Sequence, residues 1–137
     1  MKLQFLNKTS VSVDKRVFKK LLKKGCKVIE CRISGTIGLS FVSDKEIAEL
    51  NLRFRGVKGP TDVLSFSYLE TDEMPNDDCA GEIFISVDTA KKQAVSGLKN
   101  ELATLFVHGF LHVFGFDHNT DRDELFKNNL SSKILAD

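Results

Sequence analysis

Three histidines fall within eleven residues, in the segment HGFLHVFGFDH spanning 108–118, and the chain has no others. His108 and His112 stand four apart in a stretch that reads as helical. That spacing stacks two imidazoles on one helix face, close enough to share an ion. Gly115 fits the position that ends the helix at about Phe114. The turn there lets His118, six residues after His112, return to the same ion. Three imidazoles leave a coordination position open, which is the pattern of a catalytic rather than a structural zinc site. Nitrogen ligands favour zinc, nickel, cobalt or copper over magnesium or calcium. One such histidine alone reads as a satisfied core or surface residue; three at this spacing read as ligands of one metal.

The same spacing occurs in the metzincin proteases, HExxHxxGxxH, with one change. Their glutamate is the general base, and Gly109 stands in its place. A peptidase mechanism is hard to run without that carboxylate. The site then needs another base or depends on a metal-activated water. Asp117, next to His118, either orients a histidine from behind or caps the loop, and both readings stay open.

A second chemical segment is NLRFRGVKGPTDVLSFS, 51–67. Arg55 lies where the chain leaves a helix, and a guanidinium there can clamp a phosphate with two donors. A lone arginine at such a place is otherwise a surface residue.

The elements that must position these groups follow from periodicity. KLQFL reads as a first strand. Residues 14–24 read as a helix with Val17, Phe18, Leu21 and Leu22 on one face, stopped at Gly25. Residues 28–34 and 36–42 read as strands around Gly35. Ser43 with Glu46 is a capping box opening a helix over 44–54, with Ile47, Leu50 and Phe54 on one side. Residues 56–61 are a loop, 63–68 and 82–87 are short strands, and the acidic stretch 70–81 between them is a turn-rich mobile loop. A helix is expected over 88–96. Asn100 then reads as the N-cap of the histidine-bearing helix, and Thr120 or Asp121 as the cap of a last helix reaching Ile134. The class is α+β: one domain over 1–137, with a small mixed sheet of about four strands packed with helices.

Composition sets outer limits. The 137 residues suit a single domain, long enough to bury about two-thirds of its unfolded surface. No apolar run is long enough to span a bilayer, and the N-terminus does not read as a signal peptide, so a cytoplasmic protein without a membrane partner is expected. Cys26, Cys31 and Cys79 are odd in number and form no CxxC pair, which argues for reduced thiols and against a thiolate zinc site. Net charge is +1, but residues 1–27 carry nine basic groups against one acid, Asp14. That asymmetry suits a polyanionic partner, or else a solvated helix face.

Three motifs in order, NLRFRGVKGPTDVLSFS, AGEIFIS and HGFLHVFGFDH, resemble the YbeY endoribonucleases over about residues 36–120. The resemblance implies a metal-dependent, single-strand-specific endoribonuclease in rRNA maturation, including 16S rRNA 3′-end processing, and in ribosome quality control. It implies one Zn2+ (or Ni2+ or another transition metal) on His108, His112 and His118, and Arg55 on the RNA phosphate, assisting attack by a metal-bound water. RNA and the ribosome or its proteins are the implied partners. The chain departs from the family pattern at Lys58, Gly59, Ser67, Glu82 and Phe116. Lys58 replaces an aspartate and makes the loop more basic, which adds it to the substrate-binding candidates. Two other classes fit the residues: a metal-stabilised ribosome-assembly factor that binds RNA without cutting it, and a metallohydrolase of a non-RNA substrate.

Overall fold

The computed structural model describes residues 1–69, 79–116 and 121–136. The chain runs β1 (Lys2–Asn7), α1 (Lys15–Val28), β2 (Thr36–Val42), α2 (Asp44–Arg55), β3 (Val63–Ser67), β4 (Cys79–Ser86), α3 (Val87–Gln93), α4 (Leu98–Val113) and α5 (Asp121–Leu135). The four strands form one mixed sheet in the order β1-β2-β4-β3, the expected α+β class. β1 and β2 are parallel, with Lys2 opposite Thr36 and Asn7 opposite Phe41. A parallel pair needs a crossover connection, and α1 supplies it. β2 and β4 are also parallel. β3 runs antiparallel to β4 at the edge, with Ser65 opposite Ile83.

Alternation along the strands sends side chains to two faces. Ile37, Leu39 and Phe41 of β2 and Ile83 and Ile85 of β4 join one core with Phe18 and Leu22 of α1, α4, and Leu130 and Ile134 of α5. The opposite face buries Val42, Ile47 and Leu64, with Phe66 and Phe84 packed beside them, under α2. α4 is the central helix. Leu102, Leu105, Phe106, Val107, Phe110, Leu111 and Val113 are all buried along it, as expected of a helix apolar on most sides. No helix among the described residues is long and apolar enough to cross a membrane.

Several boundaries differ from the sequence reading. Gly25 does not stop α1, which runs on to Val28. A Cβ on Gly25 would sit 2.8 Å from the Phe110 ring, so this glycine lets α1 and α4 approach closely. Residues 28–34 are not a strand. The N–H groups of Ile29 and Cys31 bond the carbonyls of Gly25 and Cys26, and Glu30 takes φ 54°. Closing the helix end consumes the backbone groups that a strand needs. β4 begins at Cys79, three residues before the expected 82, while 70–78 of the acidic stretch lie outside the described residues. α3 ends at Gln93, short of 96.

Asn100 is not the N-cap of α4. Gly97 holds that position, and Asn100 lies in the first turn with its Nδ2 donating to Ser96 O at 2.9 Å. Phe54 is half-exposed, its ring 5.4 Å from that of Phe66. The Ser43 cap is as expected, with Oγ accepting from the Glu46 N–H at 3.3 Å. Of the two caps expected for α5, Thr120 lies outside the described residues, and the helix begins at Asp121.

A polar clamp ties α2 to α3. Ser86 Oγ donates to Asp44 Oδ1 at 2.6 Å, Thr89 Oγ1 donates to the same oxygen, and Lys92 Nζ reaches Oδ2 at 3.2 Å. The Asp44 N–H donates back to Asp88 at 2.9 Å. Bonds from Ser86 and Thr89 hold the Asp44 carboxyl below its ordinary range.

Candidate active site

His108 and His112 come from the C-terminal half of α4. The helix ends where Gly115, at φ 89°, lets its N–H bond His112 O at 3.0 Å while the Phe116 N–H bonds Leu111 O at 3.0 Å. A left-handed residue that satisfies the last carbonyls is the expected helix stop, and it turns the chain straight after His112. His118 and Asp117 lie outside the described residues.

The two histidines line a cavity of about 240 Å³ with Arg55, Asp62, Val63, Ser65, Leu105, Gly109 and Lys127. Its wall is β3, whose residues Val63 and Ser65 share one face by strand alternation. Ser65 Oγ lies 3.0 Å from His112 Nδ1. With the proton on Nδ1 donated to Ser65, Nε2 keeps the lone pair that a metal requires. Arg55, at the last residue of α2, reaches round the open edge of β3 and donates from Nη2 to Ser65 O at 3.5 Å. Ser65 therefore links the arginine and the histidine through two different atoms. Ser65 and Ser67 alternate with apolar residues in VLSFS, and polar side chains on the strand face that meets α4 are the signal that could have marked the position in the sequence.

Gly109 has a steric reason. A Cβ there would fall 2.8 Å from Ile83 Cγ2 and 3.4 Å from Val63 Cγ2. α4 lies so close to the sheet at this point that a glutamate would be driven into β4. The protease base is thus absent from the sequence and unwelcome in the packing.

Asp62 is fixed by the Val63 N–H at 2.7 Å and by Gln93 Nε2 at 3.0 Å. Away from the cavity, Tyr68 donates to Glu82 Oε2 at 2.6 Å, and burial together with that carboxylate pushes the phenol above its usual range. Lys58 is exposed and does not line the cavity. Neither do the lysines of α1; Lys20 and Lys24 border a separate groove with Lys99 and the end of α5. The three cysteines are free. Burial pushes the Cys26 thiol up to about 11, which keeps it protonated at neutral pH.

The donor set fits a transition metal as far as it is described. His108 and His112 occupy one helix face at one cavity wall, and Ser65 orients one of them. No group of three or more metal-ligating side chains forms among the described residues, and the third expected ligand lies outside them.

Comparison with known proteins agrees with the motifs. The family model described as endoribonuclease YbeY matches residues 4–137, well beyond the motif-bearing stretch. Endoribonuclease YbeY of Syntrophus aciditrophicus is 39% identical over 118 residues, covering 83% of this chain and 73% of that protein. Endoribonuclease YbeY of Bacillus pumilus is 38% identical over 129 residues, covering 86% of this chain and 81% of the relative. The solution structure of TM1509 from Thermotoga maritima has a similar fold, with a TM-score of 0.59 at 24% identity, over 96% of this chain and 88% of that one. The chain belongs to the endoribonuclease YbeY family.

Proposed function

We propose that the chain is a metal-dependent endoribonuclease that cuts single-stranded RNA during rRNA maturation, at the 3′ end of 16S rRNA. The observation that carries the proposal is the single cavity that gathers His108, His112 and Arg55 from α4 and α2. His108 and His112, with His118, would hold the metal, zinc by the chemistry of three imidazoles. When bound, the metal supplies a Lewis acid and a water acidic enough to act near neutral pH.

The other steps belong to the chain. Arg55 is tethered at the β3 edge by one nitrogen, which leaves the rest of its fork to grip a phosphate and offset charge as the phosphodiester reacts. Ser65 holds the His112 ring in one orientation. The lysines of α1 and Lys58 lie outside the cavity and serve, in this reading, flanking phosphates. That contribution weakens with salt. In this reading the protein works in the cytoplasm on ribosomal particles.

Cleavage of a single-stranded oligoribonucleotide and of its duplex, by the wild type and by Arg55→Ala, tests the proposal. Cutting of the single strand that falls sharply in Arg55→Ala is expected. Binding without cutting by the metal-loaded wild type would instead leave an assembly factor.

A further inference from the structure

α1 closes in a turn made by two crossed backbone bonds. The Glu30 N–H donates to Lys27 O at 3.2 Å, and the Cys31 N–H donates to Cys26 O at 2.8 Å. Glu30 stands between them in the left-handed region, at φ 54°. Two such bonds around one left-handed residue make the Schellman motif. The motif folds the chain back, so that a residue of the last helical turn meets the residue just after the left-handed one.

In this chain those two residues are Cys26 and Cys31, and both are free and half-buried. Burial, and then the hydrogen-bonded Cys31 thiol beside it, push the Cys26 thiol up to about 11. Ile33 O, 3.9 Å from Cys31 Sγ, makes only a long contact with it. The motif itself asks for no more than an apolar contact at this place, which two aliphatic residues would supply. Its left-handed position is usually glycine, and glutamate there carries a local cost. The spacing C-x4-C lies outside the CxxC pattern by which a thiol pair is read from sequence. The helix end supplies the proximity that the spacing conceals.

We infer that Cys26 and Cys31 form a reversible disulfide across the C-terminal turn of α1, a site of oxidative modification that clamps this end of the helix. The oxidant is a low-molecular-weight disulfide. The Cys31 thiolate attacks one of its sulfurs and displaces one small thiolate. Cys26, held protonated until then, gives up its proton and attacks the Cys31 sulfur of the mixed disulfide, displacing the second small thiol. Two cysteine thiols and one small disulfide thus become one protein disulfide and two small thiols, with two electrons passing to the small molecule. In a reducing compartment the pair rests as thiols and closes when small disulfides accumulate. The clamp lies next to Gly25, where a Cβ would be 2.8 Å from the Phe110 ring, so it secures the part of α1 that leans on the histidine helix. The inference does not depend on the endoribonuclease reading.

The test is peptide mapping of dilute, folded wild type after exposure to excess oxidised glutathione and alkylation of the remaining thiols. Trypsin cuts after Lys24, Lys27 and Arg32, so Cys26 and Cys31 leave on separate peptides, 25–27 and 28–32. The expected main product is these two peptides joined, lighter by two hydrogens than their thiol forms together, and parted by dithiothreitol. Separate glutathione adducts or alkylated thiols on Cys26 and Cys31, or a link from either to Cys79, overturn the inference.

Thermal melting reads the clamp. Oxidised wild type is expected to melt about 3–8 °C above the reduced protein, to lose that gain with dithiothreitol, and to show a gain that Cys31→Ser lacks. Joined peptides without a higher melting temperature, or an equal rise in oxidised Cys31→Ser, overturn the clamp. The mapping needs wild type alone and decides the matter should Cys31→Ser not fold.

Discussion

Two polar clusters lie on this small sheet and are built on opposite plans. At the start of α2, Asp44 gathers Ser86, Thr89 and Lys92 and returns its own N–H to Asp88. Every group there faces another group of the cluster, and the result is a clasp between two helices. At the end of α2, Arg55, Ser65, His112 and Lys127 surround open space instead. Ser65 joins two of them, accepting from Arg55 at its carbonyl and facing His112 with its hydroxyl. A cluster that satisfies itself stabilises a fold; one that lines a cavity is arranged for something that arrives from outside. The two ends of one helix thus differ: one closes on itself, and the other borders a cavity, the place of the proposed chemistry.

Substitutions should separate the two clusters. Arg55→Ala is expected to lower RNA cleavage by about a hundred- to a thousandfold with little change in melting temperature, since the residue is exposed and its bond to Ser65 O is long. A cleavage assay with a thermal melt checks both. Ser65→Ala removes the oxygen facing His112 Nδ1 and should reduce cleavage or metal affinity about ten- to a hundredfold, measured by metal titration. Gly109→Ala acts through packing: its Cβ would press on Ile83, costing about 1–3 kcal/mol of stability, read from denaturant unfolding.

The smallest effect belongs to the clasp. Ser86→Ala removes the N-cap of α3 and one donor to Asp44, costing about 1 kcal/mol while cleavage stays as in the wild type. The Asp44 carboxyl is lowered on folding, so its contribution is complete above the ordinary carboxylate range. It is lost as pH falls through that range to the lowered value. Melting curves from pH 7 to pH 3 should therefore fall less steeply for Asp44→Asn than for the wild type.

Much of the candidate site was legible because its signals are local. The four-residue spacing of His108 and His112 and the glycine that ends their helix are properties of a single segment. The capping box at Ser43 is another. The four-stranded mixed sheet followed from the alternation of short strands and helices. What stayed hidden depends on contacts between distant segments. Ser65 acquires its role only because β3 lies against α4, 47 positions away in the chain. Lys127 reads as one more lysine until the face of α5 that turns inward is known. Gly25 and Gly109 looked like a stop and a missing base, whereas both mark places where α4 is pressed against a neighbour. Residues 28–34 misled for the opposite reason: β-branched composition suggested a strand where the end of α1 had already claimed the backbone.

In the proposed reading, the histidine helix and the β3 edge form one metal-dependent RNA-cutting site. The most direct measurement is cleavage of single-stranded RNA by wild type and His112→Ala, each after chelation and again after addition of Zn2+. Chelation is expected to abolish wild-type cleavage and zinc to restore it, while folded His112→Ala stays at background throughout. Full cleavage by His112→Ala, or by chelated wild type shown to be free of metal, would contradict it.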